Sequence, residues 1–129
     1  MDLKETCLDS TVVYQGHFLN VRKDNARLSD GSISTREYIT HPGAVAILAL
    51  LDNGNLVMER QFRYAPRQEF IELPAGKIDH GENILVTAQR ELLEETGYVA
   101  REWIHLIPFF IRNNHNSLPF KGRVREGMG

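Results

Sequence analysis

Residues 76–98 constrain this chain more than any other stretch. A glycine-led turn opens into a run of good helix formers, and Gly97 stops it. Asn83 suits the N-cap, where a side-chain oxygen accepts from a free first-turn amide, and Gly97 suits the left-handed position that closes a helix. The spacing predicts roughly three to four helical turns between them. At about 100° per residue, Leu85, Ala88 and Leu92 share one face, while Val86 and Leu93 sit on another flank. Glu91, Glu94 and Glu95 fall together on a third arc, because residues three and four apart face the same way.

That acidic arc costs stability, since like charges at i,i+4 repel by roughly 0.2–0.5 kcal/mol per pair. Apolar patches on two flanks predict a helix buried on both sides, so a cation is expected to balance the glutamates. Hard divalent ions take carboxylate oxygens, keep several waters and are shared with substrate phosphates. Arg90 is placed to orient or neutralise one glutamate through a bidentate pair. Three clustered glutamates alone describe an ordinary solvated helix face. The full spacing says more.

Gly76, Glu82, Arg90, Glu91, Leu92, Glu94, Glu95 and Gly97 match G-x5-E-x7-R-E-U-x-E-E-x-G-U position for position, where U is a bulky apolar residue. The stretch therefore resembles the Nudix box; Tyr98 fills the last U position with an aromatic. Arg36-Glu37-Tyr38, His41-Pro42-Gly43, Gln61-Phe62-Arg63 and Glu72-Leu73-Pro74-Ala75-Gly76-Lys77 extend the likeness to the ADP-ribose pyrophosphatases, over roughly residues 8–105. The fold this implies is α/β, a Nudix-type α/β/α sandwich around a mixed sheet with an N-terminal antiparallel β subdomain.

The resemblance implies a catalytic set of Arg90, Glu91, Glu94 and Glu95. Glu91 and Glu95 would be the main metal ligands, Glu94 and Glu82 further ligands or supporting acids, and the Ala75 carbonyl would complete the site. The metal would be Mg²⁺, with Mn²⁺ as the alternative. Arg63 would contact the phosphate or ribose side of a nucleoside-diphosphate-sugar substrate, and Arg36 and Glu37 would lie where the N-terminal subdomain meets the adenine. Glu72 is read as a strand residue. The implied reaction is hydrolysis of the diphosphate of ADP-ribose, or a similar ADP-sugar, to AMP and a sugar phosphate. The likeness also implies a homodimer built through the N-terminal strands.

Strand content fits this picture. Residues 11–14, 18–22 and 33–39 are rich in β-branched and aromatic side chains, with turn signals at Gln15-Gly16 and Ser29-Asp30-Gly31-Ser32. Three short strands bury little alone and need a partner surface. The continuous apolar run 44–51 suits a central strand buried on both faces. Asp52-Asn53-Gly54-Asn55 predicts a hairpin turn, residues 56–64 a returning strand, residues 70–73 a further strand, and residues 103–111 a strand after the helix.

Composition sets the outer bounds. At 129 residues and 42% hydrophobic, the chain makes one domain with a modest core. Its net charge of −2 gives no ground for nucleic acid or an anionic membrane as partner. The single cysteine, Cys7, forms no intrachain disulfide, which fits a reducing cytoplasm. No run is long enough to span a bilayer, and the first residues carry no secretory apolar segment. His80, His105 and His115 show no ligand spacing.

The expected organisation is an N-terminal β subdomain over 1–40, a catalytic core over 41–112 and an atypical, disordered tail over 113–129. That tail is polar, basic and glycine-rich, and Glu126 is its one acid. The family pattern stops after Ile111, where an acidic loop supplying a catalytic glutamate would follow, so the C-terminus reads as incomplete. The alternatives are a catalytically impaired module that binds nucleotide, and a hydrolase of another nucleoside diphosphate derivative.

Overall fold

The computed structural model describes residues 1–109 and resolves the chain into two compact units, Met1–His41 and the remainder from Pro42. The expectations for residues 113–129, and for the end of the 103–111 stretch, lie outside the described residues.

The first unit is a three-stranded antiparallel sheet of β1 (Thr6–Gln15), β2 (Asn20–Arg27) and β3 (Ile33–Ile39), in that order. β1 and β2 run longer than β-propensity predicts, because cross-strand polar pairs carry the polar stretches. Arg22 Nε donates to Ser10 Oγ at 3.0 Å, Asn25 Nδ2 to Asp9 Oδ1 at 3.0 Å, and Tyr38 Oη to Asp24 Oδ2 at 3.0 Å. Phe18 and Leu19 fall in the β1–β2 turn, where the Gly16 amide donates to the Leu19 carbonyl at 2.8 Å, rather than in a strand. Of the unit's residues only Ala26 is buried, and Tyr14, Ile33 and Ile39 are all exposed.

The second unit pairs β4 (Ala44–Ala46) with β7 (Ala75–Lys77), and β5 (Glu59–Arg63) with β6 (Gln68–Glu72), both antiparallel. Among the described residues every ladder is antiparallel. The apolar run 44–51 is not one strand buried on both faces. Its ladder ends at Ala46 and continues as single bonds, Ile47 N–H to Pro74 O at 2.8 Å and Val57 N–H to Ala49 O at 2.9 Å. Val45, Ile47 and Ala49 turn one face to the core, and the residues between them stay partly or fully exposed, so the run is apolar beyond what burial uses. The turn after it forms as expected. Leu51 and Asn55 are hydrogen-bonded at 2.8 Å, and Gly54 sits at φ 85°, where only glycine is unstrained. Residues 101–109 form no strand, because propensity becomes a strand only where a partner edge takes it up.

Helix α1 (Ile84–Thr96) follows. Asn83 Oδ1 accepts from the Val86 amide at 2.9 Å, and Gly97, at φ 76°, donates to the Leu93 carbonyl at 2.9 Å, so both caps form as expected. The helix is not buried on two flanks. Thr87, Ala88 and Leu92 are buried, while Leu85, Val86 and Leu93 are about half exposed. The core is Ile47, Ala49, Ala88 and Leu92, with Val45, Val57, Ala100 and Trp103 against it. So small a core covers one face, and that face is centred near Ala88, which puts Glu91 and Glu95 at its margin. Among the described residues no helix is long and apolar enough to cross a membrane.

Leu92 is 1% exposed at the centre of this core. Leu92→Ala is therefore expected to cost about 2–5 kcal/mol, from lost transfer energy and the cavity left behind. Urea denaturation reads this as a lower midpoint, and an unchanged midpoint would place the core elsewhere.

Candidate active site

The loop between β7 and α1 has no regular structure, and one guanidinium organises it. Arg90 donates from Nε and Nη2 to the two oxygens of Glu82, each at 2.9 Å, in a bidentate pair. Its Nη1 donates to Glu91 Oε1 at 2.8 Å and to Glu94 Oε2 at 3.2 Å, and Nη2 also reaches the Lys77 carbonyl at 3.2 Å. Asp79 lies 3.4 Å away. Glu82 Oε1 further accepts from the Asp79 amide and the Thr87 hydroxyl, each at 3.1 Å. These donors, Arg90 first, hold the Glu82 carboxyl down at about 2, and Glu82 in turn raises Arg90.

Glu91 packs against β7. A Cβ built on Gly76 would sit 1.9 Å from Glu91 Cδ and 2.1 Å from Oε1, so the absent side chain at residue 76 is what lets this carboxylate approach the strand. The approach leaves the Glu91 side chain 12% exposed. One turn on, Glu95 Oε2 accepts from the Ala75 amide at 3.2 Å. Burial pushes the Glu95 carboxyl up, the Ala75 amide pulls the other way, and the neighbouring Glu59 adds to the rise. Arg63, on the same face of β5 as Glu59, is held by Glu72 of β6 through Nε–Oε1 at 2.9 Å and Nη2–Oε2 at 2.6 Å.

The structure thus gathers Ala75, Glu82, Arg90, Glu91, Glu94 and Glu95 around β7, the loop after it and the second half of α1, with Arg63 near Glu59 and Glu95. Arg36 and Glu37 lie in the N-terminal unit. They are consecutive on β3 and so fall on opposite sheet faces. Arg36 is already engaged, bidentate to Glu5 at 2.8 and 2.7 Å and donating to Ser34 Oγ and the Thr35 carbonyl. Sequence reasoning missed Glu59 and left Glu72 without a role. The available signal was the Glu59/Arg63 spacing, which puts both on one strand face once pairing with residues 68–72 is known.

The donor set is oxygen only, and Glu59, Glu91 and Glu95 outnumber the nearby cations not already committed to Glu82 or Glu72. That chemistry fits a hard divalent ion. Among the described residues no three such groups converge as a ready-made cage. An ion that keeps several waters and shares substrate phosphates needs no such cage.

Comparison with known proteins shows the family. The NUDIX domain family model matches residues 40–126, two-thirds of the chain. The chain belongs to the Nudix family. The model for the nucleoside diphosphate sugar hydrolase N-terminal domain matches residues 5–39. An ADP-ribose pyrophosphatase of Bacillus subtilis is 38% identical over 108 residues, covering 84% of this chain and 58% of that protein. One of Mycobacterium tuberculosis is 43% identical over 101 residues, covering 78% and 49%. The Nudix chain thus spans about half the length of the curated relatives it matches. A solved ADP compounds hydrolase superposes with a TM-score of 0.68 at 26% identity, over 79% of this chain and 56% of that one, so the fold is the Nudix fold. Hydrolases of this family generally use divalent metal ions.

Two outcomes follow from the Arg90 and Gly76 contacts. Gly76→Ala is expected to push the Glu91 carboxylate off β7 and weaken divalent-ion binding, because the new Cβ would overlap Glu91 Cγ, Cδ and Oε1. Ion binding as tight as in wild type, read by calorimetry, would contradict the role given to the Glu91 approach. The lowered Glu82 pKa contributes stability that is fully present above its ordinary value of 4.5 and is lost as pH falls through about 2. The stability difference between wild type and Glu82→Gln, from urea titrations, should narrow across that window; a pH-independent difference would contradict the assignment.

Proposed function

We propose that this chain hydrolyses the diphosphate bond of ADP-ribose, or of a similar ADP-sugar, to AMP and a sugar phosphate. The observation that carries the reading is the Arg90 network, which presents Glu91 and Glu94 beside Glu95 at the Ala75-Gly76 backbone. Glu91, Glu95 and the Ala75 carbonyl would hold Mg²⁺, or Mn²⁺ in its place, with Glu82 and Glu94 as further acids. The bound ion would neutralise the diphosphate, stabilise charge in the transition state and activate a water. Arg90 keeps Glu82, Glu91 and Glu94 oriented. Arg63 offers a charged, partly exposed guanidinium to a phosphate oxygen.

Arg36 and Glu37 of β3 would contribute contacts to the adenine. A homodimer through β1, β2 and β3 is supported by a sheet that buries only Ala26. A domain plan of 1–40, 41–112 and a separate tail is retained as part of this reading, as is a cytoplasmic location, which suits the free, exposed thiol of Cys7.

The test is AMP release from ADP-ribose with excess Mg²⁺. Wild type should release AMP only with metal, and Glu91→Gln and Glu95→Gln should each lower the rate at least about a hundredfold. Nucleotide binding with no turnover in wild type would point instead to a module that binds without hydrolysing.

A further inference from the structure

The β5–β6 hairpin carries two arginine–glutamate diagonals, one on each face, and they differ. On one face Arg60 Nε meets Glu69 Oε2 at 2.7 Å, with side chains 72% and 56% exposed. Such a pair contributes little, because water screens it. On the other face Arg63 and Glu72 form two parallel bonds, with Glu72 only 24% exposed. Glu72 stands directly opposite Glu59 in the ladder, a like-charge arrangement that costs stability unless a cation intervenes. Arg63 is that cation.

A guanidinium has two edges that can each grip an oxyanion, one made by Nε and Nη2, the other by Nη1 and Nη2. Glu72 takes the first. Among the described residues it is the one hydrogen-bond partner of the Arg63 guanidinium, so the second edge keeps its donors, on a side chain 48% exposed. Glu72 is itself tied to the candidate site. It ends β6, and three residues later, past the buried Pro74, comes Ala75, whose amide holds Glu95. Through this short link the pair of Arg63 and Glu72 is joined to the strand that holds Glu95.

We infer that Glu72 is a positioning residue for a diphosphate: it holds Arg63 by one edge so that the other receives a phosphate oxygen without displacing the pair. The inference rests on the proposed diphosphate hydrolysis for its ligand. Glu72 touches no substrate and acts through Arg63.

The test uses the full chain with Mg²⁺, following inorganic pyrophosphate binding by calorimetry and ADP-ribose turnover by steady-state kinetics. Glu72→Gln should weaken pyrophosphate binding and raise KM about tenfold while kcat stays within about twofold. Arg63→Lys should do the same, the double variant should lose no more than either alone, and Glu69→Gln on the outer face should bind as wild type does. Wild-type binding by Glu72→Gln, multiplying losses in the double variant, or equal damage from Glu69→Gln would each overturn the inference. Should Glu72→Gln fail to fold, the wild-type Arg63 Nε–H signal decides by NMR. It should stay protected from exchange with and without pyrophosphate, and its loss on addition, or no pyrophosphate binding at all, would overturn the inference. Turnover of ADP-ribose unaffected by Glu72→Gln removes only the inference. Pyrophosphate bound at this pair without ADP-ribose hydrolysis removes only the proposed function.

Discussion

The guanidinium of Arg90 engages Glu82, Glu91 and Glu94 together and also reaches the Lys77 carbonyl. Without it, three carboxylates would repel one another across the 78–83 loop and α1, and the loop would keep only its turn bonds, such as Glu82 N–H to Asp79 O at 3.0 Å. Glu82 is the anchor of the set, since both its oxygens accept from Arg90 and Oε1 accepts from the Asp79 amide and the Thr87 hydroxyl as well. Glu91 and Glu94 are held more loosely, by one bond each to Nη1. Glu95 stands outside the network; the Ala75 amide, the Glu59 carboxyl and, more distantly, Arg63 surround it, and Arg63 is already paired with Glu72.

How far the sequence foretold this depends on how local each feature is. Asn83 and Gly97 act within one turn of their own helix, so their roles were readable directly. The spacing from Gly76 to Gly97 likewise placed Glu82, Arg90 and the three helical glutamates. The helix wheel set Leu85, Ala88 and Leu92 on one face, and the small core takes Ala88 and Leu92 but leaves Leu85 half exposed, as it does the second apolar flank of Val86 and Leu93. Apolar periodicity shows which residues could be buried, and the amount of surface available to cover them decides which are.

Features that depend on pairing were harder to see. The run 44–51 looked like a central strand because every residue is apolar, yet only residues 44–46 find a full ladder, against β7. β1 and β2 exceeded their apolar centres because polar partners across the sheet extend them. The same limit hid Glu59 and Glu72. Their meeting with Arg63 and Glu95 requires the β5–β6 register and the approach of α1, which no local pattern encodes.

The most direct measurement on this account is anomalous diffraction from crystals of the chain grown with Mn²⁺. The account predicts an ion bound by the Glu91 and Glu95 carboxylates and the Ala75 carbonyl, with the Arg90–Glu82 pair intact behind them. An ion bound elsewhere, or a site that forms only when that pair breaks, would contradict it.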